Sequence, residues 1–269
     1  MSVCIAAVAE GGTSDPKLVL CADTRIEIGD FVGADTGFKI AAIGSKWMAL
    51  MAGSLACARE AVDAYRASPP PTTSENNALD RLKSSNAELK RRKTEEHIRL
   101  KWGMSYDDFL LKGRQSIPED LYHATWREIE ALGFGCELIV AGFTAHHEAC
   151  IFSCDNANGV NVCEHFAAIG SGAWIAQAAL YQRGCERRMP VDEVLYYVYE
   201  AKRLSEIAPG VGKLSHLGVT GDSEKGLIPR LQPIHPKSPE LRSLEKMYKG
   251  ICLRSYVPGR ISISVPIAQ

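Results

Sequence analysis

Apolar runs broken by turn-forming clusters open the chain. Val3 to Ala9 and Leu18 to Ala22 flank Glu10-Gly11-Gly12-Thr13-Ser14-Asp15-Pro16, which predicts two strands joined by a long hairpin loop. A second pair, Lys39 to Ile43 and Trp47 to Met51, brackets Gly44-Ser45-Lys46. Runs that are apolar at successive positions fit strands covered on both faces. From Ser54 the period changes: Leu55, Ala58, Val62 and Tyr65 recur three and four apart, a helix that Pro69-Pro70-Pro71 ends. Residues 72–132 turn charged and helix-favouring, with Leu79, Leu82, Leu89, Ile98 and Leu100 as apolar anchors. The basic tract Lys90-Arg91-Arg92-Lys93 has Glu88, Glu95 and Glu96 beside it, so it reads as a solvated helical face, with an acidic partner as the alternative.

Strand patterning returns at Cys136 to Phe143 and Ala149 to Cys154, followed by the turn Asp155-Asn156-Ala157-Asn158-Gly159 and one further strand, Val160 to Ile169. Gly170-Ser171-Gly172 then opens a helix through Ala173, Ala176, Ala179 and Leu180. Pro190, with Asp192 and Glu193 behind it, starts another that carries Val194, Leu195, Val198 and Ala201 on one face. A strand at His216 to Thr220, a helix near Pro239–Tyr248 and a final alternating strand, Ile261 to Val265, complete the pattern. Strands, helices, strands, helices, strand: the order predicts an α+β chain, two antiparallel sheets between two helical layers in an αββα sandwich. No linker divides residues 1–269, so one domain is expected, with a helical insert at about 72–132 and an extension from about 229.

Composition narrows the class of function. The 269 residues are 46% apolar and 23% charged with a net charge of −1, which excludes a disordered chain and argues against a dedicated nucleic-acid binder. The longest mainly apolar stretch, Trp47 to Ala58, is too short and interrupted to cross a bilayer, and no basic segment precedes the apolar run at the start. A cytoplasmic protein with no membrane partner is expected. Nine cysteines lie mostly inside apolar runs, without a CxxC pair or zinc spacing, and read as reduced core residues. No metal or cofactor is expected. His146-His147 reads as surface and His216 as a satisfied core or interface histidine.

Three spacings carry the candidate chemistry. Asp23 ends the second strand, Lys39 follows sixteen residues later, and Gly53 comes fourteen beyond that, where a strand turns directly into a helix at Ser54. With the hydroxyl residue Ser2 on the neighbouring strand and the segment Phe166-Ala167-Ala168-Ile169-Gly170-Ser171-Gly172, this set resembles the proteasome β-subunit family of N-terminal-nucleophile hydrolases. The resemblance spans most of the chain outside the insert and the tail.

The resemblance implies nucleophilic catalysis by Ser2 after removal of Met1. The freed amine, with a reference pKa of about 7.7–8.0, would accept the hydroxyl proton as Oγ attacks an amide carbonyl. Lys39 would favour the neutral amine, Asp23 would aim Lys39, the Gly53 N–H would hold the oxyanion and Ser171 would position the amine. Met51 stands at a position that resembles the family's specificity-pocket wall, which implies cleavage after apolar residues; a core methionine is the alternative reading. Glu27 stands where the family usually has a small hydroxyl residue that holds the substrate backbone. Glu206 replaces a family Asp, and Pro209, three residues on, replaces a Ser. Cys4 is a rival nucleophile only if the residues before it were cut away. The implied partners are further copies of the chain in a ring or double ring, a peptide or unfolded-protein substrate, and an ATP-dependent unfoldase. A non-catalytic ring or scaffold subunit is the alternative, and a small-molecule amidase a third.

Overall fold

The computed structural model describes residues 2–28, 31–35, 37–157, 159–222, 232–233 and 238–251. Strands β1 (Cys4–Ala9) and β2 (Lys17–Asp23) form the expected antiparallel hairpin. They lie in a five-stranded sheet in the order β10 (Phe166–Ile169), β1, β2, β11 (Ser215–Gly221) and β12 (Gln232–Pro233). A second antiparallel sheet runs β5 (Ile40–Ala42), β6 (Trp47–Gly53), β7 (Cys136–Phe143), β8 (Ala149–Cys154) and β9 (Val160–Cys163). A separate hairpin joins β3 (Ile26–Ile28) to β4 (Phe31–Ala34).

Side-chain alternation along these strands builds three apolar cores. Val3, Ile5 and Ala7 of the first sheet pack beneath α5 (Ala173–Gln182) and α6 (Val191–Ser205), meeting Leu180, Val194 and Val198. Cys4, Ala6 and Val8 face the other way and meet Leu50, Ile139, Ala141 and Ile151 of the second sheet. The outer face of that sheet, with Ala49, Leu138, Val140 and Phe152, packs on α1 (Leu55–Ala67) and α2 (Glu75–Trp102) through Val62, Tyr65, Leu82 and Leu89. The described residues thus make a mixed α+β structure: two antiparallel sheets face to face, with helices against both outer surfaces. A seventh helix, α7 (Pro239–Ile251), leans on α6 through Leu244 and Tyr248.

The segment 72–132 is helical, as its composition predicts. α2 packs its first half on the second sheet, and its far half carries α3 (Tyr106–Ser116) and α4 (Glu119–Ala131) around a small core of Ile98, Phe109, Ile117 and Ile129. The basic tract stays on the surface, where Arg91 pairs with Glu88 at 3.0 Å, although Lys93 turns back to donate to the Phe134 carbonyl at 3.0 Å.

Two sequence expectations need correction, and one element was not among those expected. Val160 to Ile169 is not one strand: a bend at Glu164-His165 carries the chain from β9, the edge of one sheet, to β10, the edge of the other. The sequence does not show the break, because Glu164-His165 contains no Gly or Pro and apolar residues stand on both sides of it. In the structure β10 is buried while β9 is largely exposed. Leu100 is no anchor; it is 80% exposed, since α2 at that level turns Ile98 inward instead. The β3–β4 hairpin carries no clear sequence signal because its strands are only three and four residues long. The expected strand at Ile261 to Val265 and Cys252 lie outside the described residues. All eight described cysteines are free, six of them buried. No helix among the described residues is long and apolar enough to cross a membrane.

The contrast between two leucines of α2 is measurable. Leu82→Ala should lower the unfolding free energy by about 2–5 kcal/mol through lost burial and a residual cavity. Leu100→Ala should change it by less than about 0.5 kcal/mol in the same urea titration.

Candidate active site

β2 runs between β1 and β11, so the side chain at its end is delivered into the interior. Asp23 is fully buried. Its Oδ1 accepts the Val3 N–H at 2.9 Å and the Lys39 ammonium at 2.9 Å. Its Oδ2 accepts the Arg25 and Gly212 N–H groups, each at 3.1 Å. A buried carboxylate without such donors would cost several kcal/mol. Here the Asp23 N–H also donates to the Val3 carbonyl at 3.0 Å, so the side chain takes over one arm of the β1–β2 ladder. Lys39 precedes β5, its carbonyl accepting the Met51 N–H at 2.9 Å and its side chain only 9% exposed.

Ser2 leads into β1 and is itself buried. Its backbone nitrogen donates to Ser171 Oγ at 3.1 Å, and its carbonyl accepts the Gly172 N–H at 3.2 Å. The Ser171 hydroxyl stands 3.3 Å from both the Ser2 and the Pro209 carbonyls and can donate to one of them at a time. Gly170 makes this approach possible. Its φ is +91°, and a Cβ there would lie 2.3 Å from the Ser2 carbonyl oxygen and 3.1 Å from Ser2 Oγ.

The register of β6 against β7 decides where the Gly53 N–H points. Ser54 N–H donates to the Gly135 carbonyl at 2.9 Å, which makes Ala52 and Glu137 a hydrogen-bonded pair and leaves Gly53 opposite Cys136 in a non-hydrogen-bonded one. Gly53 therefore turns its N–H away from β7, toward the side where β5 has not yet begun. It lines a cavity of about 190 Å³ together with Ser2, Lys39 and Met51. Ile26, Phe38, Leu55 and Ala58 give that cavity an apolar wall. A larger, open groove of about 610 Å³ between α1 and α2, with Glu60, Arg81 and Arg92 on its walls, holds none of these groups.

Ser2, Asp23, Lys39, Gly53, Ser171 and Met51 thus meet at one end of the paired sheets. Glu206 does not join them. It binds Lys202 Nζ at 2.6 Å and Arg203 at 3.2 Å. Lys202 is fully buried one turn back on α6, also donates to the Lys213 carbonyl at 2.6 Å, and needs a counter-charge. Pro209, without a hydroxyl, contributes its carbonyl to Ser171 instead. Glu27 lies in β3 opposite Val32, beside a register shift; its side chain is outside the described residues.

The rival groups have other tasks. Cys4 is fully buried with its thiol 3.2 Å from the Met51 carbonyl, and burial pushes its pKa far above the ordinary thiol range. His147 is more than bare surface: its Nδ1 is 2.7 Å from Asp222 Oδ2, which also accepts Lys46 Nζ at 2.9 Å. His216 is not a satisfied core histidine. Its Nδ1 is buried without a hydrogen-bond partner among the described residues, burial lowers its pKa, and its ring leans on Phe38 at 4.9 Å. No group of three potential metal ligands occurs among the described residues.

Replacing Asp23 by Asn would set an amide against donors and strand the Lys39 charge. Asp23→Asn should therefore cost about 3–5 kcal/mol in urea unfolding at neutral pH, as breaking a buried pair does. A loss below 1 kcal/mol, well under that estimate, would mean the four contacts are not what holds this end of the sheet.

No protein-family model matches this chain, and no curated protein matches it in sequence. The arrangement of side chains has to speak for the chemistry by itself.

Proposed function

We propose that this chain is a proteasome-like N-terminal-nucleophile hydrolase that cleaves peptide bonds, with Ser2 as nucleophile once the peptide bond before it is broken. The observation that carries the proposal is the convergence on one cavity of Ser2, its nitrogen held by Ser171, with Lys39 fixed by Asp23 and Gly53 turned away from its strand partner. The freed Ser2 amine takes the hydroxyl proton, directly or through one water, as Oγ attacks the substrate carbonyl. The Lys39 ammonium favours the neutral, proton-accepting amine. The Gly53 N–H stabilises the oxyanion, the amine returns its proton to the leaving nitrogen, and water then hydrolyses the acyl ester. Apolar side chains before the scissile bond fit a wall built from Ile26, Phe38, Met51 and Leu55.

The four-layer packing supports the same family's fold, and α5 supports its ring assembly. That helix turns Trp174, 69% exposed, and Tyr181, 73% exposed, outward with no partner helix over them among the described residues. A ring or double ring of copies would enclose the cavity and restrict it to unfolded chains, fed by an ATP-dependent unfoldase. One observation favours the second reading, an inactive ring or scaffold subunit: Glu206 is spent on Lys202 and Arg203, and Pro209 offers no hydroxyl.

Hydrolysis of an apolar fluorogenic tripeptide amide separates the two. Ser2→Ala and Lys39→Ala should each lower turnover about a thousandfold or more. Wild-type kcat/KM should rise with pH as the amine loses its proton, with a midpoint below the reference range of about 7.7–8.0 because the Lys39 ammonium disfavours a second positive charge. Native mass spectrometry should find multiple copies in both variants. Turnover equal to wild type in either variant removes the site, and an assembled wild type without turnover selects the inactive subunit.

A further inference from the structure

We propose that Glu137 is a positioning residue for this hydrolase, a tether between the two sheets that fixes Ser2 relative to Gly53; the inference rests on the amide-hydrolase reading above. Along β7 the even positions Cys136, Leu138 and Val140 face the helices, while Ile139, Ala141 and Phe143 face the other sheet. Glu137 is in phase with the second set. It is a carboxylate in an otherwise apolar row that looks across at the first sheet.

What it meets there is a backbone donor that the sheet cannot satisfy. β10 is an edge strand, and its odd-numbered residues face β1, as the Val8 N–H to His165 carbonyl bond at 2.9 Å and the Cys4–Ile169 pairing show. The Gly170 N–H therefore points out of the sheet, with no strand beside it among the described residues. Glu137 Oε2 accepts it at 2.8 Å. No cation pairs with Glu137 among the described residues, so this bond is not a by-product of an ion pair.

Gly170 begins the three-residue turn that holds the proposed nucleophile. Its Cα side is pressed on the Ser2 carbonyl and hydroxyl, Ser171 holds the Ser2 nitrogen and Gly172 holds the Ser2 carbonyl. On its own sheet, Glu137 is hydrogen-bonded across to Ala52, the neighbour of Gly53. One side chain therefore links the turn that seats Ser2 to the strand that aims the Gly53 N–H. The separation of nucleophile and oxyanion donor depends on that link, and a shift of 1 Å in such a separation costs on the order of a hundredfold in rate.

The full-length protein tests this with the apolar tripeptide amide and with amide hydrogen exchange. Glu137→Ala should lower kcat about 10- to 100-fold while KM moves less than about twofold. Glu137→Gln should restore most of that loss, because its carboxamide oxygen still accepts the Gly170 N–H. Glu137→Asp keeps the charge but shortens the reach, so it should behave like Ala and serves if the Ala variant does not fold. Exchange over 168–172 should quicken in the Ala and Asp variants and not in the Gln variant, with the rest of β1 and β2 unchanged. Wild-type kcat in Glu137→Ala, equal losses in Gln and Ala, or unchanged exchange at 168–172 would each overturn the proposal. An inactive wild type with quickened exchange in Glu137→Ala would count against the hydrolase and uphold the tether.

Discussion

A single buried carboxylate sets the geometry of this molecule's chemical end. Asp23 collects donors from four places in the chain, one local and three remote: Arg25 just past β2, then Val3 at the head of β1, the Lys39 side chain ahead of β5, and Gly212 ahead of β11. Each oxygen takes two donors, one line of contacts running along the first sheet and the other drawing in the segment that leads to the second. Because the group is fully buried, these contacts are obligatory: removing any of them leaves charge in a low-dielectric interior. The fold around the cavity is thus organised by a polar requirement, while the apolar cores organise everything else.

Those cores explain why the polar end can be so exacting. Three layers of side chains, from the α5–α6 surface through the sheet interface to α1 and α2, are filled by strands that bury both faces. Both sheets are antiparallel, so strand register is fixed by ladder bonds, and register in turn fixes which N–H groups are free at the ends. Gly53 and Gly170 are two such ends. Both have positive φ, and a side chain on either would strike neighbouring backbone: the Gly135 carbonyl oxygen at 2.8 Å for Gly53, the Ser2 carbonyl oxygen at 2.3 Å for Gly170. The exposed donor and the crowded approach come from the same local geometry.

Much of this was legible in the residues. The limits of β7 and β8 follow from apolar runs bounded by turn formers. The Asp23–Lys39 pair is implied only by the family resemblance, because singly the two residues read as a turn residue and a strand-edge charge. Ser171 is likewise implied by the resemblance, which matches its Gly-Ser-Gly turn ahead of α5. What stayed hidden depends on three-dimensional register. The switch between sheets at Glu164-His165 looks like a continuous strand in one dimension. Glu206 looked like a site carboxylate because nothing in its spacing reveals that Lys202, an apparently ordinary helix lysine, would be fully buried and claim it. Glu137 did leave a trace, an acid in phase with Ile139, Ala141 and Phe143, but its partner across the sheets could not be read from the sequence. The Phe38–His216 contact likewise joins residues brought together by the β2–β11 pairing and by the contacts of Gly37 and Lys39 with the end of β2.

The central claim is that Ser2 acts through its own free amine. Intact mass combined with N-terminal sequencing of the purified, assembled protein tests it most directly. The account predicts a chain that begins Ser-Val-Cys-Ile and carries an unblocked amine. A chain in which Ser2 remains joined to a preceding residue, or whose serine nitrogen is acylated, would contradict it, because a peptide nitrogen shares its lone pair with the adjoining carbonyl and does not take the hydroxyl proton.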